Sequence, residues 1–262
     1  INTRLAATAT QGDGWQRDIN SGKEFGEADT FSVRSLTSIE LGGDAELLLN
    51  LHYTKDEGRP LSPQNLDADL IRGLPVGTVG TSDDSSQVNV GALDVSRNEE
   101  GIGASATLTV DFDAFTLTSI TAYDQYSRHV VDNFDGQSLS TDDFIFEDDF
   151  DVFSQELRLT SNSGGDFHWV AGFGYSYEEV AAKTTADLTD LIGFALTAPD
   201  PFGFGLPVTV DAVTTTSDYQ QDTTSVGAFL HTETDVSDQW TLTAGLRFSY
   251  DKREFDGVTV DN

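Results

Sequence analysis

The chain has 262 residues, 37% of them hydrophobic and 23% charged, which excludes a disordered tail. Lys and Arg number 14 against 45 Asp and Glu, a net charge of −31, and a surface this acidic repels phosphate backbones, so nucleic acid is not a partner. No run of about eighteen apolar residues exists, so no transmembrane helix is expected; the mean hydropathy of −0.29 still admits membrane strands, which are apolar on one side only.

The absence of Cys removes disulfides, thiolate metal sites and cysteine catalysis together, and no residue pattern calls for a cofactor. Met is absent too, and the chain begins at Ile1 with neither the charged nor the apolar region of a signal peptide. An internal piece of a longer protein is the expectation.

Period-two alternation, the mark of a strand, recurs along the chain. It runs through INTRLAATA, FSVRSLTSIEL, AELLLNLHYT, GIGASATLTVDF and FSQELRLTS; FTLTSITAYDQYS is weaker, with apolar residues on both parities. In FHWVAGFGYSYEE, residues 167–179, Phe167, Trp169, Ala171, Phe173, Tyr175 and Tyr177 share one parity. His168, Val170, Gly172, Gly174, Ser176 and Glu178 share the other. TSVGAFLHTETDV sets Val226, Ala228, Leu230 and Val236 against Gly227, His231, Glu233 and Asp235. QWTLTAGLRFSYDKREF sets Trp240, Leu242, Ala244, Leu246, Phe248 and Tyr250 against Thr241, Thr243, Gly245, Arg247, Ser249 and Asp251. This gives about nine strands of about ten or more residues, longer than the usual five or six and close to what a tilted strand needs to cross a bilayer.

Connections alternate in length. Short ones fall at Gly42-Gly43-Asp44, around Asp113-Ala114, at Ser161 to Asp166 and at Ser237-Asp238. Residues 57–98, 130–147 and 183–221 are expected to be long loops, and any helix should lie in the first or last of these. Pro60, Pro63, Pro75, Pro199, Pro201 and Pro207 all fall in those two, so none interrupts a ladder. Short turns on one rim and long loops on the other is the asymmetry of an outer-membrane barrel. Trp169 and Trp240 stand just after short turns, while Tyr175, Tyr177, Phe248 and Tyr250 stand near the far strand ends. The intervening height is roughly 20 Å, near that of an apolar band between two aromatic girdles. Trp169, Phe173, Tyr175, Tyr177, Trp240, Leu242, Leu246, Phe248 and Tyr250 are therefore expected to face lipid. The opposite parity, including His52, His168, His231, Arg158, Glu233 and Arg247, should line a wet lumen, with Arg158 and Arg247 paired to carboxylates such as Glu156 and Glu233. The competing explanation is that the aromatic parity packs into the core of a soluble sandwich.

SQELRLTS followed by FHWVAGFGYSYEE, and then SVGAFLHTETDVSDQWTLTAGLRFSYDKREF, resembles the barrel strands of TonB-dependent outer-membrane receptors. ATATQGDGWQRDINSGKEFGEADTFSVRSLTSIEL resembles the early barrel of that family, where a DGW-type turn precedes an extracellular loop. The resemblance covers essentially the whole chain. It implies an all-β, antiparallel up-and-down meander: a partial transmembrane β-barrel, with about nine strands of a parent of about 22. It implies residence in the bacterial outer membrane and active uptake of a scarce nutrient, such as a ferric siderophore or another large solute. The TonB box, the plug domain and the terminal strand ending in an aromatic residue are not in this chain. Coupling to the TonB energy-coupling complex would run through that missing plug, so no functional residue is carried over from the family.

Other features have a chemical and a bland explanation. Residues 132–151 hold Asp132, Asp135, Asp142, Asp143, Glu147, Asp148, Asp149 and Asp151; carboxylates on a loop can hold Ca²⁺, but the ordered spacing of a calcium loop is missing and a solvated acidic loop is the simpler reading. Leu191, Ile192, Phe194, Phe202 and Phe204 lie in an unusually apolar loop, either a ligand-contact surface or packing against neighbouring loops. His52, His129, His168 and His231 show no metal-ligand spacing and no Ser/His/Asp arrangement. A soluble β-sandwich binding or adhesion module is the main alternative function; an outer-membrane barrel enzyme is the other.

Overall fold

The computed structural model describes residues 1–64, 84–91, 93–134, 136, 138, 142–162, 165–189 and 213–262. Nine long strands form one antiparallel sheet: β1 (Asn2–Gly12), β4 (Ala28–Gly42), β5 (Ala45–Gly58), β7 (Ser96–Asp111), β8 (Phe115–Asn133), β9 (Asp143–Ser161), β10 (Phe167–Asp187), β11 (Thr214–Ser237) and β12 (Trp240–Asp261). Each pairs only with its neighbour in this order, without crossovers, and β1 does not pair with β12. The meander is open.

Three short strands, β2 (Gln16–Asp18), β3 (Glu24–Phe25) and β6 (Gln87–Val88), form a separate small sheet, with β2 and β6 parallel. No alternation announces them, because each is two or three residues long. They lie in the β1–β4 and β5–β7 connections and join these into a knob. Phe25, Val88, Val90 and Val95 form its core, and this is the buried hydrophobic cluster found among the described residues. The sandwich explanation fails here: among the described residues no second sheet stacks on the nine strands, and on inner strands the apolar-parity Leu51, Ile102, Phe173 and Leu230 are 58%, 53%, 44% and 47% exposed.

Asp18 sits at the centre of the knob, 1% exposed. Its carboxylate accepts from the Ser21 amide (2.6 Å), the Ser21 hydroxyl (2.7 Å), the Asn20 amide (3.1 Å) and the Val90 amide (3.0 Å). Burial pushes this carboxyl up; the bonds from Ser21, Val90 and Asn20 outweigh it and hold the group below the usual carboxylate range. A depressed folded pKa contributes stability above the unfolded value, which is lost as pH falls through the folded one.

The extent of the long connections needs correction. Strands reach well into the segments read as loops: β8 runs to Asn133, β9 starts at Asp143, β10 runs to Asp187 and β11 starts at Thr214. The closing DGVTVDN is, through Asp261, the exposed end of β12. Apolar alternation ends before the strands do, while the hydrogen-bonded ladder continues past it. β11, at 24 residues, rises roughly 60 Å at a 40° tilt, well beyond an apolar band of about 25 Å. The four short turns (β4–β5, β7–β8, β9–β10, β11–β12) share one rim, and the longer connections share the other. Thr189, inside 183–221, is the one described helical residue.

The open edges β1 and β12 expose unpaired backbone groups beside an uncovered apolar face. Residues 1–262 expressed alone should aggregate in detergent-free buffer. A monodisperse species in analytical ultracentrifugation, with a cooperative unfolding transition, would contradict this.

Candidate membrane face, inner wall and mouth

The register settles which side chains share a face. On the apolar face, Ala171 stands in a row with Leu159, Leu230 and Leu246, and Phe173 with Leu157, Ala228 and Phe248. Tyr175 and Tyr250 share the next row; Tyr177, Phe153 and Tyr123 share the one beyond. Phe153 and Tyr175 approach to 6.2 Å between ring centres, Phe31 and Tyr53 to 6.3 Å. Trp169 and Trp240 mark the short-turn rim on the same face. All nine residues expected to face lipid thus lie on one surface.

That surface has an uncharged band. Alternate residues of 3–11, 31–39, 45–53, 102–110, 115–123, 153–161, 169–177, 224–232 and 242–250 project from it, five per strand, and not one is Asp, Glu, Lys or Arg. In a chain that is 23% charged, such a band does not arise from solvent exposure. Just beyond the tyrosines the same face turns acidic, with Glu147, Asp149, Asp151, Glu179, Asp222 and Glu254. The Tyr177 hydroxyl donates to Asp222 Oδ1 at 3.1 Å, and the Tyr123 hydroxyl to Asp151.

The opposite face is polar at the same height. Arg34 Nε donates to Asn50 Oδ1 (2.8 Å), and Asn50 Nδ2 to Ser105 Oγ (3.4 Å). His52 Nε2 lies 3.1 Å from Asp124 Oδ1, across the intervening strand β7. This contact exists because Gly103 lies between them: a Cβ there would overlap both the Asp124 carboxylate and the His52 ring. Gly172 plays the same part for Phe229, whose ring occupies the space a Cβ would need. Phe229 breaks the polar pattern and was not distinguished by alternation; the bare Gly172 opposite is the sequence signal for it. Arg158 lies 3.9 Å from Glu156, as expected, but Arg247 does not pair with Glu233: its Nε donates to Ser249 Oγ at 3.2 Å. Glu233 pairs in register with Thr243, four residues from Arg247, too far along the strand for that ion pair. His52, His168 and His231 share this face; His129 is on the other, above the tyrosine row. A hollow of about 360 Å³ opens on the polar wall over Gly174, Ser176, Ser225, Gly227, Arg247 and Ser249.

In the acidic segment 132–151, residues 132–133 and 143–151 are strand, which corrects its reading as a loop throughout. Pleating splits its carboxylates: Asp143, Glu147, Asp149 and Asp151 take the outward parity, Asp148 the inward one. Glu147 Oε2 accepts from Lys183 Nζ at 2.7 Å, and buried Asp148 accepts from Arg128 Nε at 2.6 Å. Among the described residues no group of three or more His, Asp or Glu is arranged to hold a metal ion. Inward, the same stretch brings an aromatic cluster to the mouth. Phe134, Phe144 and Phe146 lie 5.2 to 6.1 Å apart, Tyr126 and Phe150 lie 5.9 Å apart, and the Arg128 guanidinium lies 5.3 Å from the Phe146 ring centre. The acids in FIFEDDF mask this alternation of Phe144, Phe146 and Phe150. Leu191, Ile192, Phe194, Phe202 and Phe204 lie outside the described residues.

A two-faced open meander with short turns on one rim matches one family model, described as TonB dependent receptor-like, beta-barrel, over residues 10–262. The chain belongs to the TonB-dependent receptor β-barrel family. Among solved structures, this barrel chain is similar to the ferric yersiniabactin uptake receptor FyuA from Yersinia pestis, with a TM-score of 0.64 and 12% identity over 99% of this chain and 38% of that one. It is also similar to the unliganded ferric citrate transporter FecA, with a TM-score of 0.57 and 16% identity over 99% of this chain and 35% of that one. The siderophore receptor PiuA from Acinetobacter baumannii gives a TM-score of 0.52 and 14% identity, over 98% of this chain and 42% of that one. The chain thus spans well under half the length of these relatives, and the likeness is one of fold. No curated protein matches it in sequence.

Gly103→Ala should displace the His52–Asp124 contact and lower stability by about 1–3 kcal/mol. Gly174→Ala, where an added methyl meets nothing within 4 Å, should be near neutral. Thermal unfolding of the full-length protein in detergent compares the two; equal stabilities would refute the crowding at Gly103.

Proposed function

We propose that this chain is a barrel segment of a bacterial outer-membrane receptor for active uptake of a scarce nutrient, such as a ferric siderophore or another large solute. The observation that carries the reading is the uncharged, aromatic-edged band across all nine strands, backed by a polar wall. Water favours the reverse arrangement; lipid outside and a wet lumen inside favour this one. Family membership supplies the receptor role, and the uptake receptors of like fold support the class of solute. The rest of the barrel, a plug and the contact with the TonB energy-coupling complex belong to the parent protein in this reading. Tyr126, Arg128, Phe134, Phe144 and Phe146 stand on the inner wall of the mouth, where an arriving solute first meets protein. Their rings and guanidinium suit a large, partly apolar or aromatic solute better than a small ion.

Cells lacking the gene should grow poorly in iron-chelated medium and normally with excess ferric iron, and a plasmid copy should restore growth. Unimpaired growth under chelation would remove ferric siderophores from the proposal.

Lipid exposure has its own check. Ala171→Lys or Ala244→Lys, in the middle of the band, should destabilise the full-length protein refolded into lipid vesicles by about 2–4 kcal/mol. Ser225→Lys on the polar wall should have far less effect. Equal urea midpoints for the three variants would count against a lipid-facing band.

A further inference from the structure

We infer that the described parts of the β1–β4 and β5–β7 connections, residues 13–27 with 59–64, 84–91 and 93–95, are not two independent loops but one clasp, locked at Asp18, so that neither leaves the mouth without the other. Three sets of contacts carry this, and none of them depends on the transported solute.

The first is backbone pairing between the loops: Arg17 N–H donates to Ser86 O at 2.7 Å, and Ile19 N–H to Val88 O at 2.9 Å, forming the parallel β2–β6 pair. The second is reciprocal side-chain bonding. Gln16 Nε2 donates to Ser62 O (3.2 Å) while its Oε1 accepts from the Ser62 amide (3.0 Å), and Asn20 Nδ2 donates to Asn89 Oδ1 at 2.6 Å. The third is a shared core, in which Phe25 from one loop packs with Val88, Val90 and Val95 from the other.

Asp18 ties these together. One carboxylate oxygen closes its own turn at Ser21 while the other receives the Val90 amide from the second loop. Among the described residues no cation neutralises it. The charged groups on the elements around it are otherwise engaged: Arg17 with Gly22 O, Lys23 with Asp94, Arg59 with Glu27. Four N–H and O–H donors hold the charge instead, so loss of the charge loosens both loops at once.

Hydrogen exchange on the full-length protein in detergent, wild type against Asp18→Asn, tests this. Residues 16–25 and 86–90 should both exchange about tenfold faster or more in the variant, with β8 and β9 unchanged. Residues 1–262 contain no cysteine, so Asn20→Cys with Asn89→Cys, in a full-length protein with any cysteine elsewhere replaced by Ser, gives a single defined cross-link. Oxidised in the Asp18→Asn background, it should restore protection to both segments. Faster exchange confined to residues 16–25 would overturn the clasp. So would acceleration spreading into β8 and β9, since the knob would then not open as a separate unit.

Discussion

The constraint on which the rest depends is the register of the antiparallel ladder. A one-residue slip in any strand would carry five uncharged side chains to the polar wall and bring the inner polar ones outward. Nine strands keep one parity outward from β1 to β12. Short turns help to fix it: at Gly42-Gly43-Asp44 and at Ser237-Asp238-Gln239 a bulge lies at the turn itself, so the irregularity stays outside the band. Among the described residues the sheet has no packed core of its own, so interior packing does not enforce its register. It is held by backbone pairing and by cross-strand contacts on both faces, among them Phe153 with Tyr175 outside and Arg34 with Asn50 inside.

Glycines make the inner contacts possible without breaking the ladder. Gly103 and Gly172 both lie inside long strands, where glycine ordinarily weakens a sheet. Each leaves a gap one strand wide. His52 reaches Asp124 over the first, and the Phe229 ring lies in the second. The lost β-propensity is offset by a polar contact spanning three strands and by an aromatic ring laid over backbone. Both sites face the polar wall, where side chains must satisfy one another; the outward band, which needs only apolar surface, uses Ala and Leu instead.

Most of the architecture was legible in the sequence because a single periodicity encodes it. The number of long strands, the shared face of the nine aromatic and leucine residues, and the separation of short from long connections all follow from parity and turn formers. What parity does not encode was missed. Strand ends beyond the apolar band carry Thr, Asp, Glu and Lys on both faces, so 183–187 and 214–221 look like loop. The Gln16–Asp18, Glu24–Phe25 and Gln87–Val88 strands are too short for any period to register, and the Asp18 hub joins positions 72 residues apart. The inward Phe144, Phe146 and Phe150 were hidden by the acids between them, whose charge dominated the reading of the segment.

The acidity of the chain then has a physical place. Within the band the outward surface carries no charge at all, so the excess of carboxylates is pushed to the long-loop side, onto strand extensions and connections that stand in water. There, like charges on adjacent strands repel unless something separates or pairs them. Lys183 pairs with Glu147 across β9 and β10, and Arg128 with Asp148 across β8 and β9. The girdle tyrosines add neutral donors to the same end: Tyr177 and Tyr123 turn their hydroxyls toward Asp222 and Asp151. The row that ends the apolar band is therefore also the row that begins to satisfy the acidic one. A phenol suits that boundary, because its ring can be buried in the band while its hydroxyl bonds the first carboxylate beyond it.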